Sequence, residues 1–472
     1  RLVYHVYTHN PWMNRKPGMT LDGIGLFFQR DNSWFEHGAK GFSDYAARCQ
    51  TLLQYGYPVV DLAVFTGEEM PRRSILPERL VPSLPGLFGA ERVERERERL
   101  ANVGQPMRTK PVGVKHSANM ADPEQWINPL GGYAYDSFNR DALLRLAKVK
   151  KGCVTLPDAG AYRVFVVPQT RPLNPERPMS REVREKLDAL KAGGVVVLEE
   201  PYTEADFSAY GLQPDVLVPR EVAWTHRRSE CDDTDIYFIS NQADSARTFT
   251  ASLRVAGRVP ELWNPMTGAI ADATEWTVQE GRTEVKLTLA PYESTFVVLR
   301  RAGQPVATGS CVEPTVRPLE TAVWNISFDR YDDPAKVVES NTLFDWSQTE
   351  DPEVRYFSGT ATYRTSFCYE GEADQVVLRL GEVRDVAAVR LNGHQCGTAW
   401  TAPYEVNLTE ALLSGENELE IEVSNCWANA LVGAETGNAP FSGIWTNARY
   451  RRKEQRLLPS GLIGPLELVE TK

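Results

Sequence analysis

Apolar and polar positions recur with three different periods along the chain, and each period predicts a different kind of element. The stretch GFSDYAARCQTLLQYG (41–56) has apolar residues three and four positions apart and ends in Gly56, which predicts an amphipathic helix. The apolar run YPVVDLAVFTGEE (57–69) predicts a parallel strand that is buried on both faces. From residue 221 onward the period falls to two, which predicts antiparallel β-structure.

Residues 1–56 form one βα unit in this pattern. A buried strand over 1–10 runs into a Gly-rich aromatic loop, and the helix follows. In a (β/α)8 barrel the loop after a strand lies on the catalytic face. Because a single βα unit leaves strand edges and apolar faces uncovered, we expect these residues to be disordered or packed against the next domain.

Residues 57–220 predict an α/β domain with a mostly parallel sheet. The pattern through 136–200 indicates helix, strand, strand, helix and strand. Ser180 is the predicted N-cap of the second helix, and Gly193-Gly194 ends it. The segment RVERERERL (92–100) pairs opposite charges three positions apart, which is typical of a solvated helix.

Two all-β domains are predicted to follow. Short alternating strands over 221–302 indicate a small antiparallel domain, and the Pro- and Gly-rich stretch 303–320 is interpreted as a linker. Residues 321–472 alternate again and predict a β-sandwich, with an Asn-Gly turn inside LNGH (391–394). The predicted fold class is therefore multidomain, α/β plus all-β.

Composition narrows the range of partners. With 472 residues the chain has room for about three or four domains. Its net charge of −11 argues against nucleic acid or an anionic membrane as partner. No apolar run approaches the roughly 20 residues of a membrane span, and no signal peptide is present. The seven cysteines are scattered, which disfavours a metal cluster and leaves room for one or two disulfides.

The N-terminal strand carries the first candidate binding residues. His5, Tyr7 and His9 alternate along it, so their side chains share one face. Trp12 could form a platform for a sugar ring, and Trp34 lies on the loop that follows. The alternative is a polar barrel interior in which both histidines are already hydrogen-bonded, and the pattern leaves both interpretations open.

A catalytic pair of carboxylates is harder to find. Glycoside hydrolysis needs two, about 5–5.5 Å apart for retention or about 6.5–9.5 Å apart for inversion. Glu36 is the one candidate within an apolar part of the loop. The adjacent pairs Glu68-Glu69 and Glu199-Glu200 would point to opposite faces of a strand, so they cannot form a dyad. The sequence contains neither GxSxG nor the phosphate-binding GxGxxG and GxxxxGK[ST] patterns.

Several segments resemble glycoside hydrolase family 106, the α-L-rhamnosidases. They are HVYTHNPW with PGMT, SWFEHGAKGFSDYAARCQTLLQYG, GAYRVFVVP, ELWNPMTG, LAPYESTFVVL, YFSGTATYRTSF, LGEVRDVAAVRLNG, GTAWTAPYEVNL and SGLIGP. The last four resemble a jelly-roll, galactose-binding-like domain, as in the sugar-binding domain of family 2 glycosidases. Residues 70–116 depart from the family pattern and resemble an insertion.

The resemblance implies that residues 1–56 are the last βα unit of a (β/α)8 barrel truncated upstream. It implies an inverting mechanism with two glutamates, neither matched here, so the pair is expected before residue 1. A calcium ion at the active site, a secreted or periplasmic location and a rhamnosylated glycan or glycoside from plants as substrate are implied in the same way. His5, Tyr7, His9, Trp12 and Trp34 would then line the sugar subsite.

Two further hypotheses stay open beside this one. The missing carboxylate pair favours a non-catalytic carbohydrate-binding or scaffolding fragment, for which Trp400 and Trp427 would need to be exposed. A β-galactosidase-like glycosidase shares the same order of domains. The HxYTHxPW segment separates the two glycosidases and argues for rhamnose.

Overall fold

The computed structural model describes residues 38–65, 131–157, 160–167, 179–199, 207–305, 314–329, 334–440 and 457–471. The chain divides into two compact units, one made of residues 1–50 and 309–472 and the other of residues 51–308. The first described element is helix α1 (Ala39–Leu53), which the periodicity of the sequence predicts. Each unit has hydrophobic clusters of its own.

The unit of residues 51–308 opens with a parallel sheet. Its first strands and its helix are β1 (Tyr57–Pro58), β2 (Leu62–Phe65), β3 (Tyr135–Phe138), β4 (Lys148–Lys150), β5 (Cys153–Thr155), β6 (Ala161–Tyr162), β7 (Val164–Val166), α2 (Arg181–Ala192) and β8 (Val196–Leu198). The order β3-β2-β7-β8 has parallel pairs throughout. The predicted parallel sheet is therefore confirmed.

The continuous apolar run of β2 follows from its position inside this sheet. Leu62 and Val64 pack in a cluster on one face, while Ala63 and Phe65 pack in another cluster with Leu187 of α2. A strand covered on both faces has no polar side to mark it, so its sequence reads as one apolar run.

Helix α2 begins at the predicted cap. The Ser180 hydroxyl accepts a hydrogen bond from the backbone N–H of Val183 at 3.3 Å, and Gly193 follows the last helical residue. Val183, Leu187 and Leu190 form the buried stripe of the helix. The cap prediction for Ser180 is confirmed.

The first helix predicted in this region is wrong in extent. The predicted helix covers DSFNRDALLRL (136–146), but Tyr135–Phe138 form strand β3. The helix is reduced to one π-helical turn, Ala142–Leu146. Pairing of β3 with β2 buries Phe138, and this tertiary contact overrides the helical periodicity of the segment. The stretch KVKKGCVTL then forms the β4–β5 hairpin, which turns at Lys151-Gly152.

Two antiparallel sheets complete this unit and pack face to face. Their remaining strands are β9 (Val216–Leu217), β10 (Val222–Ser229), β11 (Thr234–Asn241), β12 (Arg247–Leu253), β13 (Arg258–Trp263), β14 (Ile270–Asp272), β15 (Trp276–Gln279), β16 (Arg282–Leu289) and β17 (Ser294–Ala302). One sheet has the order β1-β10-β11-β17-β13-β14 and the other β15-β16-β12-β9. Tyr237 and Val297 of the first sheet share a core with Phe249 and Leu287 of the second.

The described C-terminal residues form a second antiparallel sandwich. Its elements are β18 (Thr315–Pro318), β19 (Trp324–Phe328), β20 (Lys336–Ser340), α3 (Pro352–Arg355), β21 (Thr360–Tyr369), β22 (Gln375–Arg379), β23 (Glu382–Arg384), β24 (Val386–Leu391), β25 (His394–Ala399), β26 (Glu405–Asn407), β27 (Gly415–Ser424), α4 (Ala428–Thr436), β28 (Gly461–Gly464) and β29 (Glu467–Thr471). Sheets β20-β19-β21-β27-β24-β25 and β18-β29-β22-β26 enclose one core around Trp346 and Tyr363. Strand β18 lies within the stretch 303–320 that was interpreted as a linker.

The Asn-Gly turn predicted in the sandwich is confirmed. Asn392 and Gly393 join β24 to β25 with φ values of 52° and 77°. Two consecutive residues with positive φ match the right-handed twist of the paired strands, and Asn and Gly adopt that conformation at low cost. The Asn392 side chain also donates to the backbone carbonyl of Ala411 at 2.9 Å, which fixes the hairpin on the neighbouring loop.

Some predicted features lie outside the described residues, namely the barrel strand over 1–10, the loop that follows it and the RVERERERL segment. In the part of the chain that the structure describes, no helix is long and apolar enough to cross a membrane.

Candidate functional site

The binding and catalytic residues predicted from the sequence all lie before the first described residue. They are His5, Tyr7, His9, Trp12, Trp34 and Glu36. The described chain begins two residues after Glu36, and helix α1 starts at Ala39. The surroundings of α1 are therefore the described region nearest in sequence to the predicted sugar site.

Helix α1 packs against an aromatic side chain of the sandwich. The Trp400 ring meets Phe42 and Tyr45 edge-on, with ring centroids 5.3 and 5.6 Å apart. A Cβ atom on Gly41 would lie 2.9 Å from Trp400 Cδ1, so the small residue permits the close approach. We expected this segment to be disordered or packed on the α/β domain, and its first turns instead contact the sandwich.

The two tryptophans considered as sugar platforms are not exposed. Trp400 is half-buried under the edges of the α1 aromatics, and Trp427 is only 4% exposed beside α4. Stacking on a pyranose needs an accessible ring face with polar groups around it. Trp427 is therefore part of a buried hydrophobic cluster, and Trp400 packs between α1 and the sandwich.

A carboxylate lies on the same side of the sandwich as Trp400. Ala387 of β24 pairs with Ala399 of β25, so Asp385 and Trp400 lie just beyond the same end of this strand pair. Asp385 is accessible to solvent, yet burial raises its pKa, while Arg384 and a hydrogen bond from the Cys426 backbone oppose the rise.

Tyr404 lies close to this carboxylate. Burial raises the pKa of its hydroxyl, and the negative charge of Asp385 raises it further. Arg384 adds a cation that also pairs with Glu382 at 2.7 Å. Carboxylate, phenol and guanidinium groups are the polar groups that fix the hydroxyls of a sugar, so this face has chemistry suited to saccharide contact.

A second polar cluster lies inside the antiparallel domain, centred on His226 of β10. Its Nδ1 lies 2.8 Å from Asp215 Oδ2, and its Nε2 lies 2.9 Å from Asp235 Oδ1. The Tyr237 ring stacks on the imidazole with centroids 3.9 Å apart, and its hydroxyl donates to Asp215 at 3.3 Å. All four residues are less than 5% exposed.

Arginines complete this cluster. Arg258 donates to Asp235 at 2.6 Å, and Arg254 Nε lies 3.7 Å from Asp215 Oδ1. Burial alone would lower the pKa of His226, but the two flanking carboxylates overcome it and hold that pKa above 6.5. The pKa of Asp235 is held below its usual value by His226, Arg228 and Arg258, although burial works against this.

The geometry of the cluster does not suit catalysis or metal binding. Both imidazole nitrogens already face a carboxylate, so neither can take a proton from a substrate or ligate a metal. Among the described residues, no group of three or more His, Cys, Asp or Glu side chains has the arrangement of a metal site. The described residues therefore offer no ligand set for the calcium ion that the family resemblance implies, and that ion stays a prediction for the residues outside the described ranges.

Sequence analysis missed this cluster. Asp215, His226 and Asp235 stand 11 and 9 positions apart and match no motif. The β10–β11 register, in which His226 pairs with Tyr237, brings His226 to Asp235, and Asp215 joins them from the residue before β9 in the other sheet. The one available signal was local, since VAWTHRRS puts a histidine at a position of β10 that points inward.

The adjacent glutamates considered in the sequence analysis do not form a catalytic pair among the described residues. Glu199 forms an ion pair with Lys191 at the end of the parallel sheet, while Glu68, Glu69 and Glu200 lie outside the described residues. The six described cysteines are all free.

Comparison with known protein families gives two matches. The profile of glycoside hydrolase family 106, described as alpha-L-rhamnosidase, matches residues 1–100 and 192–277. The profile of the glycosyl hydrolase 2 galactose-binding domain-like family matches residues 341–456, which include Asp385, Trp400 and Tyr404.

Two individual proteins are similar over long stretches. The solved structure of a rhamnosidase from Novosphingobium sp. PP1Y superimposes with a TM-score of 0.73 and 29% identity, covering 99% of this chain and 44% of that one. A putative beta-glucuronidase from Formosa agariphila is 28% identical over 312 residues, 64% of this chain and 24% of its own length. The chain thus spans less than half the length of either protein.

Proposed function

We propose that the chain belongs to glycoside hydrolase family 106, the α-L-rhamnosidases, and that it is part of an enzyme that hydrolyses terminal α-L-rhamnosyl linkages. The substrates would be rhamnosylated plant polysaccharides or glycosides. The observation that carries this proposal is the superposition of 99% of the chain on a rhamnosidase. The family match over residues 1–100 supports it at the segment that carries His5, Trp12 and Glu36.

The proposed mechanism is inversion with two carboxylates. A carboxylic acid protonates the glycosidic oxygen while a carboxylate removes a proton from water on the opposite face of the sugar, with the two groups about 6.5–9.5 Å apart. His5, Tyr7, His9, Trp12 and Trp34 would bind and orient the rhamnosyl ring. A calcium ion and a secreted or periplasmic location are further parts of this proposal, and both rest on the family alone.

The first test is hydrolysis by the purified chain. Because the catalytic pair is expected before residue 1, we expect this chain alone to release no rhamnose from an aryl α-L-rhamnoside. An aryl β-D-glucuronide, included because the Formosa agariphila protein is named for that activity, should not be cleaved either. Turnover would place both carboxylates within residues 1–472, and Glu36→Gln should then reduce kcat by about 10²–10⁴-fold. NMR of the first-formed anomer distinguishes inversion from retention.

The second test is binding, which does not require a catalytic pair. Saturation-transfer NMR with L-rhamnose should show contacts that His5→Ala and Trp12→Ala abolish. His394→Ala, a change at the exposed first residue of β25, should leave these contacts unchanged. A folded chain that neither binds rhamnose nor cleaves the rhamnoside would overturn the proposal for this chain.

A scaffolding or carbohydrate-binding role is the second candidate. The match of residues 341–456 to a galactose-binding-like family favours it. The burial of Trp427 and the cover over Trp400 argue against an aromatic platform on the described sandwich. Binding of rhamnose that Asp385→Asn abolishes and His5→Ala leaves intact would move the site to the sandwich and favour this candidate.

A further inference from the structure

The Asp215–His226–Asp235 cluster continues into the parallel sheet. Arg254, one residue after β12, donates to Asp61 Oδ2 at 2.8 Å while its Nε lies 3.7 Å from Asp215. Asp61 immediately precedes β2, the strand second from the edge of the parallel sheet. One arginine thus joins a carboxylate of the antiparallel sandwich to a carboxylate at the start of the parallel sheet.

The segment that leads into strand β2 of the parallel sheet is also hydrogen-bonded to β10, the strand that carries His226. Tyr57 pairs with Arg228, and the Val59 amide donates to the His226 carbonyl at 3.0 Å. The Arg227 guanidinium donates to the carbonyls of Tyr55 at 2.8 Å and Gly56 at 2.6 Å. Segment 55–61 is therefore attached to β10 by its backbone on one side and by the Arg254–Asp61 pair on the other.

Charged and titratable groups surround His226 from every element that packs on it. The groups are Asp61 before β2, Asp215 before β9, Arg228 on β10, Asp233 in the β10–β11 turn, Asp235 and Tyr237 on β11, Arg254 after β12, Arg258 on β13 and Arg282 on β16. Four arginines face four aspartates in this set, so a proton on His226 adds the one charge that is not matched within it.

We propose that this network is a protonation-dependent clamp that holds segment 55–65, including strand β2 of the parallel sheet, on the antiparallel sandwich. With the proton bound, His226 donates one hydrogen bond to Asp215 and one to Asp235. Without it the ring keeps a single N–H, and the other nitrogen presents a lone pair to a buried carboxylate less than 3 Å away. Loss of the proton thus turns an attraction inside the sandwich into a repulsion.

The direction of the pH dependence follows from His226. Its pKa in the folded chain lies above the 6.5 of an unperturbed histidine. A raised folded pKa gives a contribution that is complete below pH 6.5 and is lost as the pH rises through the folded pKa. The clamp is therefore complete below pH 6.5 and loosens as the pH rises through the folded pKa of His226.

Hydrogen–deuterium exchange of the whole chain between pH 6 and pH 9 tests the clamp. After correction for intrinsic exchange, the opening constant of peptides covering 57–65 should rise with pH by up to about tenfold per unit over part of this range, the limit for one proton. Peptides from β21 in the sandwich of the other unit should show no such rise. A flat profile for 57–65 would overturn the proposal.

Two variants separate the clamp from ordinary packing. In His226→Gln the residue cannot become charged, so segment 57–65 should open more at pH 6 and lose its pH dependence, while the exposed control His394→Gln should match the wild type. Asp61→Asn leaves the Asp215–His226–Asp235 contacts in place and breaks the Arg254 ion pair. It should increase opening of β2 at pH 6 while β10 and β11 stay protected.

These variants also provide the contradicting results. If His226→Gln retains the wild-type pH profile, another group titrates and the clamp is wrong. If His226→Gln does not fold, the Asp61→Asn profile decides. If β2, β10 and β11 lose protection from hydrogen exchange equally in Asp61→Asn, the three strands open as one unit and the clamp is wrong.

Discussion

At the scale of single residues, the hydroxyl of Tyr363 satisfies two buried donors at once. It accepts from Trp346 Nε1 at 2.7 Å and from the Leu462 amide at 3.1 Å, at the centre of the C-terminal sandwich. Tyr363→Phe keeps the ring but leaves both donors without an acceptor. We expect it to lower the free energy of unfolding by about 2–4 kcal/mol, measured by urea denaturation.

The control for this change is Tyr292→Phe. Tyr292 is 58% exposed, so water replaces whatever its hydroxyl contacts and the free energy of unfolding should change by less than about 0.5 kcal/mol. Equal effects of the two variants would show that the Tyr363 hydroxyl does not organise the sandwich core.

A second residue-scale prediction concerns Glu261 of β13, which is 1% exposed. Burial disfavours its charge, but hydrogen bonds from Arg301, Trp263 and Arg300, at 2.5, 2.9 and 3.0 Å, overcome this and hold its pKa below 4.5. A lowered folded pKa gives stability that is present above pH 4.5 and is lost as the pH falls through the folded value.

Glu261→Gln should therefore flatten the acid limb of the stability profile. At pH 7 we expect a loss of about 1–3 kcal/mol, since two half-exposed arginines lose their partner but regain water. Below the folded pKa of Glu261 the variant and the wild type should converge. The free energy of unfolding is measured by thermal unfolding at each pH. A loss of stability in the variant that stays constant from pH 7 to pH 3 would contradict the charge argument.

At the scale of elements, the cap of helix α2 is a local feature that the sequence predicts. Ser180→Ala removes the acceptor for the Val183 amide and should lower the free energy of unfolding by about 0.5–2 kcal/mol. Ser180→Asp keeps an acceptor and adds a negative charge at the helix N-terminus, so it should keep the wild-type stability. If Ser180→Ala is as stable as the wild type, the cap contributes nothing and the helix depends on its buried stripe alone.

The contact of helix α1 with the sandwich gives another element-scale prediction. Trp400→Ala removes the ring that Phe42 and Tyr45 meet edge-on, so hydrogen exchange in residues 42–50 should become faster. Trp400→Phe keeps an aromatic partner and should have a smaller effect. Leu413→Ala, at a 55% exposed position of the same sandwich, is the control and should leave α1 unchanged.

The sequence predicts an element well when the residues that determine it are neighbours along the chain, and poorly when they are distant in sequence. The α2 cap, the Asn392-Gly393 turn and the alternating strands depend on neighbours along the chain, and the structure confirms them. Strand β3 depends on pairing with β2, so the helix predicted over 136–146 is shortened to the turn Ala142–Leu146. The His226 cluster depends on three separate elements and has no motif, so only the pairing of β10 with β11 and the packing of the segment before β9 on them show it.

The predicted sugar site is a different case. The alternation of His5, Tyr7 and His9 and the family resemblance both point to the first residues, which lie outside the described chain. The assignment of those side chains therefore stays a prediction. On the described sandwich, Asp385 and Tyr404 lie close together, and sequence analysis did not single them out because isolated Asp and Tyr residues carry no pattern.

At the scale of the whole molecule, the two compact units have separate hydrophobic cores. One core lies around Trp346 and Tyr363, and the other unit has its own clusters around α2 and around Tyr237. Residues that share one hydrophobic core unfold together. Because the two units have separate cores, we expect urea denaturation of the chain to show two transitions. Tyr363→Phe should shift one of them and Glu261→Gln the other. A single transition that both variants shift by their full amounts would mean that the two cores unfold together as one cooperative unit.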